Sequence, residues 1–196
     1  MVNPYVRLLY IEFETTNYCT RKCSWCSFGN EDFRKNEPME YLDIVYIEKL
    51  LQELKDYQYK GVLGLFGINE PLMDKRICNG QIILLCKKYL LPEVELSIVT
   101  NGDLLTEEIL QVFTDTALDH LGISCYDDAG FIKAENYKDQ FKGKLDIHVL
   151  DYRKHNRHLL WLNRAGSVKN IPEYEHLPYC ILPNFEVIVG YDGNVR

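Results

Sequence analysis

The sequence lacks the features that would place it in a membrane or on nucleic acid. No apolar run approaches the roughly 18 residues needed to cross a bilayer, and stretches such as Ile82–Cys86 are the size of a buried strand or helix segment. The opening Met1-Val-Asn-Pro-Tyr-Val-Arg holds a single basic side chain, and Glu12 and Glu14 interrupt the run that follows, which is not the pattern of a secretory signal. Positive charge is in deficit: 22 Lys and Arg against 29 Asp and Glu leave a net charge of −7. That excludes the broad basic face of a general nucleic-acid binder, though not a local basic pocket. Solenoid repeats and flexible linkers are absent. With 46% hydrophobic and 12% aromatic residues, the chain is not a disordered one either. A cytoplasmic, reducing environment is expected, where clustered thiols point to metal or redox chemistry before disulfides.

What is present is a strand–helix rhythm over 196 residues, enough for one good-sized domain and a small appendage. A β-rich run opens at Leu8. Pro38 suits the first turn of a helix whose apolar stripe is Ile47, Leu50, Leu51 and Leu54. Gly61–Gly67 reads as a strand buried on both faces, and 74–89 as a helix. Val94–Thr100 is a strand, Thr106 caps a helix, and His120–Tyr126 is a strand. A helix is expected over 131–141, a strand over Lys144–Leu150, and a sixth over Leu159–Leu162. Such alternation implies right-handed crossovers and a parallel α/β sheet, open or closed into a barrel. Phe185–Val195 reads as a hairpin turning at Asp192-Gly193.

The densest chemical signal is Cys19-Thr-Arg-Lys-Cys23-Ser-Trp-Cys26, directly after the first strand. Three thiolates leave a four-ligand metal site one short, with no histidine or fourth cysteine nearby. A [4Fe–4S] cluster on three cysteines would keep one iron open to a small molecule. Arg21 and Lys22 would offset the thiolate charge. Three unrelated thiols, or a zinc site completed by a remote residue such as Cys180, are the other readings.

This C-x3-C-x2-C loop, with aromatic Trp25 before its last cysteine, resembles the radical S-adenosylmethionine (radical SAM) superfamily. The resemblance implies a partial (β/α)6 TIM-type barrel. It also implies that Cys19, Cys23 and Cys26 hold a [4Fe–4S] cluster whose open iron binds S-adenosylmethionine (SAM), with Trp25 beside it. Reductive cleavage would yield methionine and a 5′-deoxyadenosyl radical that abstracts a substrate hydrogen. Gly67-Ile-Asn69-Glu70-Pro71 is similar to the family's G-G-E-P element at the SAM amino group, with Asn69 in place of the usual glycine. Thr100-Asn101-Gly102 resembles its T-N-G element, and Ser124 would reach the SAM ribose or carboxylate.

Asn163-Arg-Ala-Gly and Cys180-Ile-Leu-Pro-Asn resemble members with a C-terminal twitch or SPASM auxiliary-cluster domain. The resemblance implies a radical SAM core over 1–166 and a truncated auxiliary segment over 167–196. Arg164 would take the proton of a hydroxyl being oxidised, and Cys180 would be a first ligand of an auxiliary Fe–S cluster whose next cysteine falls due beyond Arg196. The remaining thiols, Cys78, Cys86 and Cys125, read as core residues. The expected activity is oxidation of a small hydroxylated substrate, an amino-sugar or cyclitol. Electrons would come from a flavodoxin or ferredoxin, with no nucleic-acid or membrane partner. The alternatives are a SPASM-type peptide-modifying enzyme of ribosomal-peptide maturation and a non-catalytic, truncated iron–sulfur protein.

Overall fold

Polar and apolar residues alternate in Tyr10-Ile-Glu-Phe, and the strand they form gives the molecule two unlike sides. In β1 (Tyr10–Phe13), Ile11 and Phe13 are buried while Tyr10 and Glu12 are only half-buried on the other face. The computed structural model describes residues 8–23, 26–29, 37–153 and 186–195. Five strands join β1: β2 (Val62–Gly64), β3 (Glu95–Thr100), β4 (His120–Cys125), β5 (Asp146–Asp151) and β6 (Glu186–Val189). All pair in parallel, in the order β5-β4-β3-β2-β1-β6. The helices are α1 (Ile44–Asp56), α2 (Lys75–Cys78), α3 (Gln81–Tyr89), α4 (Glu107–Asp115) and α5 (Asp128–Gln140). With neighbouring strands taken in chain order from β1 to β5, right-handed crossovers put the helices on one face. This is the α/β arrangement of a partial barrel that the sequence leads one to expect.

Under the helices, Leu63, Leu96, Ile98, Leu121, Ile123 and Ile147 continue the buried side begun by Ile11 and Phe13. They cluster with Ile47, Leu51 and Leu54 of α1 and with Leu110 and Phe113 of α4. Each such burial contributes about 1.5–3 kcal/mol. Cys86 and Cys125 lie in this core, and Cys78 is half-buried with its thiol against the Leu72 carbonyl. The other face alternates into Ser97, His120, Gly122, Ser124, Asp146 and His148, so it is the polar side of the sheet.

Two expectations change. The first helix begins at Ile44, capped by the Asp43 side chain, rather than at Pro38. Pro38 instead precedes an extended stretch tied to the end of β1: Asn17 Nδ2 donates to the Pro38 carbonyl (2.9 Å), and Glu40 N donates to Asn17 Oδ1 (2.8 Å). The single helix expected over 74–89 is broken into α2 and α3, because Gly80 sits between them with φ +79°. A Cβ on Gly80 would lie 2.7 Å from Thr116 Cγ2, so the break lets the backbone pass close to the end of α4.

The hairpin turn at Asp192-Gly193 is present, closed by Gly190 N to the Asn194 carbonyl and by an antiparallel bridge between Val189 and Val195. Its first arm does something further: as β6 it extends the parallel sheet beside β1. The sixth strand expected over 159–162, together with Trp25, Arg164 and Cys180, lies outside the described residues.

Candidate active site

The loops leaving the C-terminal ends of β1 to β4 converge. The cysteine loop follows β1 and is held at its stem by the Asn17 clamp and by Glu70 N donating to the Tyr18 carbonyl (2.8 Å). Cys19, Cys23 and Cys26 open into one cavity of about 190 Å³. Its other walls include Gly67, Asn69 and Glu70 after β2, Thr100 and Asn101 at the end of β3, and Ser124 on β4. Gly102 lines an adjoining cavity of about 280 Å³ that shares Arg21, Asn101, Ser124 and Tyr126 with the first. The described residues that the sequence singles out are therefore neighbours in space, drawn from the ends of β3 and β4 and from the loops that follow β1, β2 and β3.

Glu70 is the brace of this cleft. The side chain is buried and accepts from Thr100 Oγ1 (2.6 Å), Asn101 N (2.8 Å) and Leu72 N (3.1 Å). Burial pushes its carboxyl above the usual range, and those three hydrogen bonds pull back against the shift. Gly102 takes φ +77°, where its N–H reaches Thr100 Oγ1 (3.1 Å) and a side chain would press on Ile123. The N-E-P and T-N-G elements are thus joined through one carboxylate.

Asp103 is a residue that sequence reasoning missed. Its carboxylate receives Arg21 Nε (2.8 Å) and Nη2, and also Thr20 Oγ1 (3.1 Å), and its N–H donates to Asn101 Oδ1 (3.0 Å). Arg21 also lies over the Tyr126 ring at 4.9 Å. The Arg21 guanidinium, which also lines the cysteine cavity, is held by Asp103 and Tyr126 and so ties the loop to the ends of β3 and β4, while Lys22 is exposed. An acid directly after T-N-G and an arginine inside the cysteine loop were the available signal.

The residues fit a cluster and a polar ligand. The cavity is lined by three cysteines with no histidine or fourth cysteine beside them among the described residues, so the thiolates leave one metal position open, as a [4Fe–4S] cluster that takes a small-molecule ligand requires and a closed structural zinc site does not. Burial pushes the Cys19 thiol up to about 11, which makes it a poor free nucleophile and leaves its proton to be displaced by metal. Across the cavity, both amide atoms of Asn69 are buried without a hydrogen-bond partner. A ligand carrying donors and acceptors would satisfy them.

Residues 13–127 match the Radical SAM superfamily, and since they are more than half of the chain, the protein belongs to that superfamily of [4Fe–4S]- and SAM-dependent enzymes. More particularly, it is 28% identical over 186 residues to the S-adenosyl-L-methionine-dependent 2-deoxy-scyllo-inosamine dehydrogenase of Niallia circulans, covering 94% of this chain and 71% of that protein. Its fold is similar to that of BtrN in complex with AdoMet and 2-DOIA, with a TM-score of 0.75 at 24% identity over 96% of this chain and 72% of that one. The fold is also similar to that of anSMEcpe with bound AdoMet, with a TM-score of 0.51 at 17% identity over 71% and 42% of the two chains. No described helix is long and apolar enough to cross a membrane.

Proposed function

We propose that this protein is a radical SAM dehydrogenase acting on a small hydroxylated substrate of the amino-cyclitol class. The observation that carries the proposal is the single cavity shared by three loop cysteines, the unpartnered Asn69 amide and the Glu70–Thr100–Asn101 brace. The substrate class is supported by the 28% identity to a cyclitol dehydrogenase.

In this reading Cys19, Cys23 and Cys26 hold the cluster. Gly67, Asn69, Glu70, Thr100, Asn101, Gly102 and Ser124 hold SAM. When bound, the two supply an electron transfer that releases methionine and a 5′-deoxyadenosyl radical able to take a substrate hydrogen. Asn69 offers one donor and one acceptor to the amino-acid end of the ligand. Glu70 gives the same end a buried negative charge, and a cation beside it favours the ionised form. Asp103 keeps Arg21 over Tyr126 and so locks the cysteine loop against β3 and β4. Trp25 beside the cluster, Arg164 as acceptor of the hydroxyl proton and Cys180 as an auxiliary-cluster ligand complete the assignment, as does a division into a core over 1–166 and an auxiliary segment over 167–196 whose strand β6 joins the core sheet. A flavodoxin or ferredoxin is the matching class of reductant.

Anaerobic reconstitution with iron and sulfide tests the reading. About four irons per chain should bind, and reduction with SAM should release 5′-deoxyadenosine, which Cys23→Ala abolishes. With 2-deoxy-scyllo-inosamine present, a ketone product should accumulate. Release of 5′-deoxyadenosine by Cys23→Ala would overturn the ligand set. Release by the wild type without turnover of the cyclitol would overturn the substrate class.

A further inference from the structure

The opposite end of the same sheet gathers a second set of ligand-bearing side chains. His120 opens β4 and Asp146 opens β5, and the parallel register sets them side by side, with His148 opposite Gly122 on the same face. Asp146 Oδ2 lies 2.8 Å from His120 Nδ1 and 2.9 Å from His148 Nε2. The three ligand atoms all fall within 4.8 Å of one another. The remaining nitrogen of His120, Nε2, faces Glu95 Oε2 at 3.4 Å, from the first residue of β3.

We propose that His120 Nδ1, His148 Nε2 and Asp146 Oδ2 form a three-ligand site for a zinc-class divalent cation, with Glu95 orienting His120. Two imidazoles and a carboxylate are a donor set that zinc accepts with positions left for water. Zinc with N and O ligands at 2.0–2.1 Å needs them about 3.3 Å apart. Small rotations of exposed side chains convert the present 2.8 and 2.9 Å separations to that spacing. The Glu95 contact is a separate indication. A metal-bound histidine characteristically donates its second N–H to a carboxylate, which fixes the tautomer and raises the basicity of the ligand.

The site is distinct from the cysteine cavity in place and in chemistry. It sits four residues before Ser124 along β4, about 13 Å at 3.3 Å per residue. Imidazole and carboxylate suit zinc, whereas the three-thiolate loop suits an iron–sulfur cluster. Its structural effect is to pin β5, an edge strand of the described sheet, to β4 and β3.

The cluster-loaded full chain, washed with a chelator and equilibrated with Zn²⁺ under anaerobic conditions, tests the inference by elemental analysis. Wild type should hold one more zinc per chain than the His120→Ala/His148→Ala double variant. Glu95→Gln should keep the site but weaken it by about 10–100-fold. The imidazole Cε1–H resonances of His120 and His148 should shift as zinc is added to wild type. Equal zinc content and affinity in wild type and double variant would overturn the proposal, because the zinc would then sit on other groups such as the free thiols. So would resonances of these two histidines that ignore zinc. Neither outcome bears on the cysteine-loop reading, since no cluster or SAM residue is changed.

Discussion

Strand β4 ends in two different electrostatic settings. At its C-terminal end Ser124 joins a cleft braced by a buried pair that is bonded directly: Glu70 and Thr100 are each 1% exposed. At its N-terminal end His120 pairs with Asp146 and Glu95 across a surface that water reaches, with side-chain exposures of 35%, 52% and 60%. Buried polar groups cost stability unless satisfied, so the first end is tightly specified and intolerant of change. Exposed ion pairs contribute about 0–1 kcal/mol, so the second end can be altered with little effect on the fold.

Substitutions break or sharpen that contrast, the most damaging first. Glu70→Ala leaves the Thr100 hydroxyl and the Asn101 and Leu72 amides without their acceptor. It should lower unfolding stability in denaturant by on the order of 3 kcal/mol or more. Gly80→Ala forces a side chain into a left-handed conformation and against Thr116, and should cost about 1–3 kcal/mol in the same measurement.

Asp103→Asn should act mainly through pH. Arg21 holds the Asp103 carboxyl below its usual 3.8, so the stability it adds is complete above that value and is lost as pH falls through the lowered pKa. The Asn variant should lose that part of the acid limb of the stability curve. Asp146→Asn, at the exposed end, should change metal-free stability by about 0–1 kcal/mol. If Asp146→Asn destabilised the zinc-free chain as much as Glu70→Ala, the contrast between the two ends would fail.

The sheet was readable because short apolar runs and the turns and helices between them are local. The strands over 94–100, 120–126 and 144–150 correspond to β3, β4 and β5 within one or two residues. The break at Asn79-Gly80 has a local turn signal that a single helix over 74–89 runs through, whereas the close approach of Gly80 to Thr116, 36 positions away in the chain, is non-local. The Asn17 clamp, which moves the start of α1 from Pro38 to Ile44, is likewise non-local.

At the site, the cysteine loop, N-E-P and T-N-G announce themselves by residue type and spacing. Asp103 does not, because an acid after a turn is unremarkable until Arg21 is found opposite it. Nor does sequence reveal that Glu70 is a brace as well as a charge. Its three donors come from a turn and from a separate strand end.

The Asn17 clamp has a consequence for biogenesis. By tying residues 38–40 to the end of β1, it closes both stems of the cysteine loop with bonds that involve no thiol. Closing a flexible span costs entropy that grows only slowly with its length, and here protein–protein contacts meet that cost while the chain folds. Bonds of this kind predict that metal delivery meets a loop whose stems are already closed, unlike a zinc finger, which is unfolded without its ion. The apo chain should show the far-UV circular dichroism of the cluster-loaded form, and maturation factors should recognise a folded client.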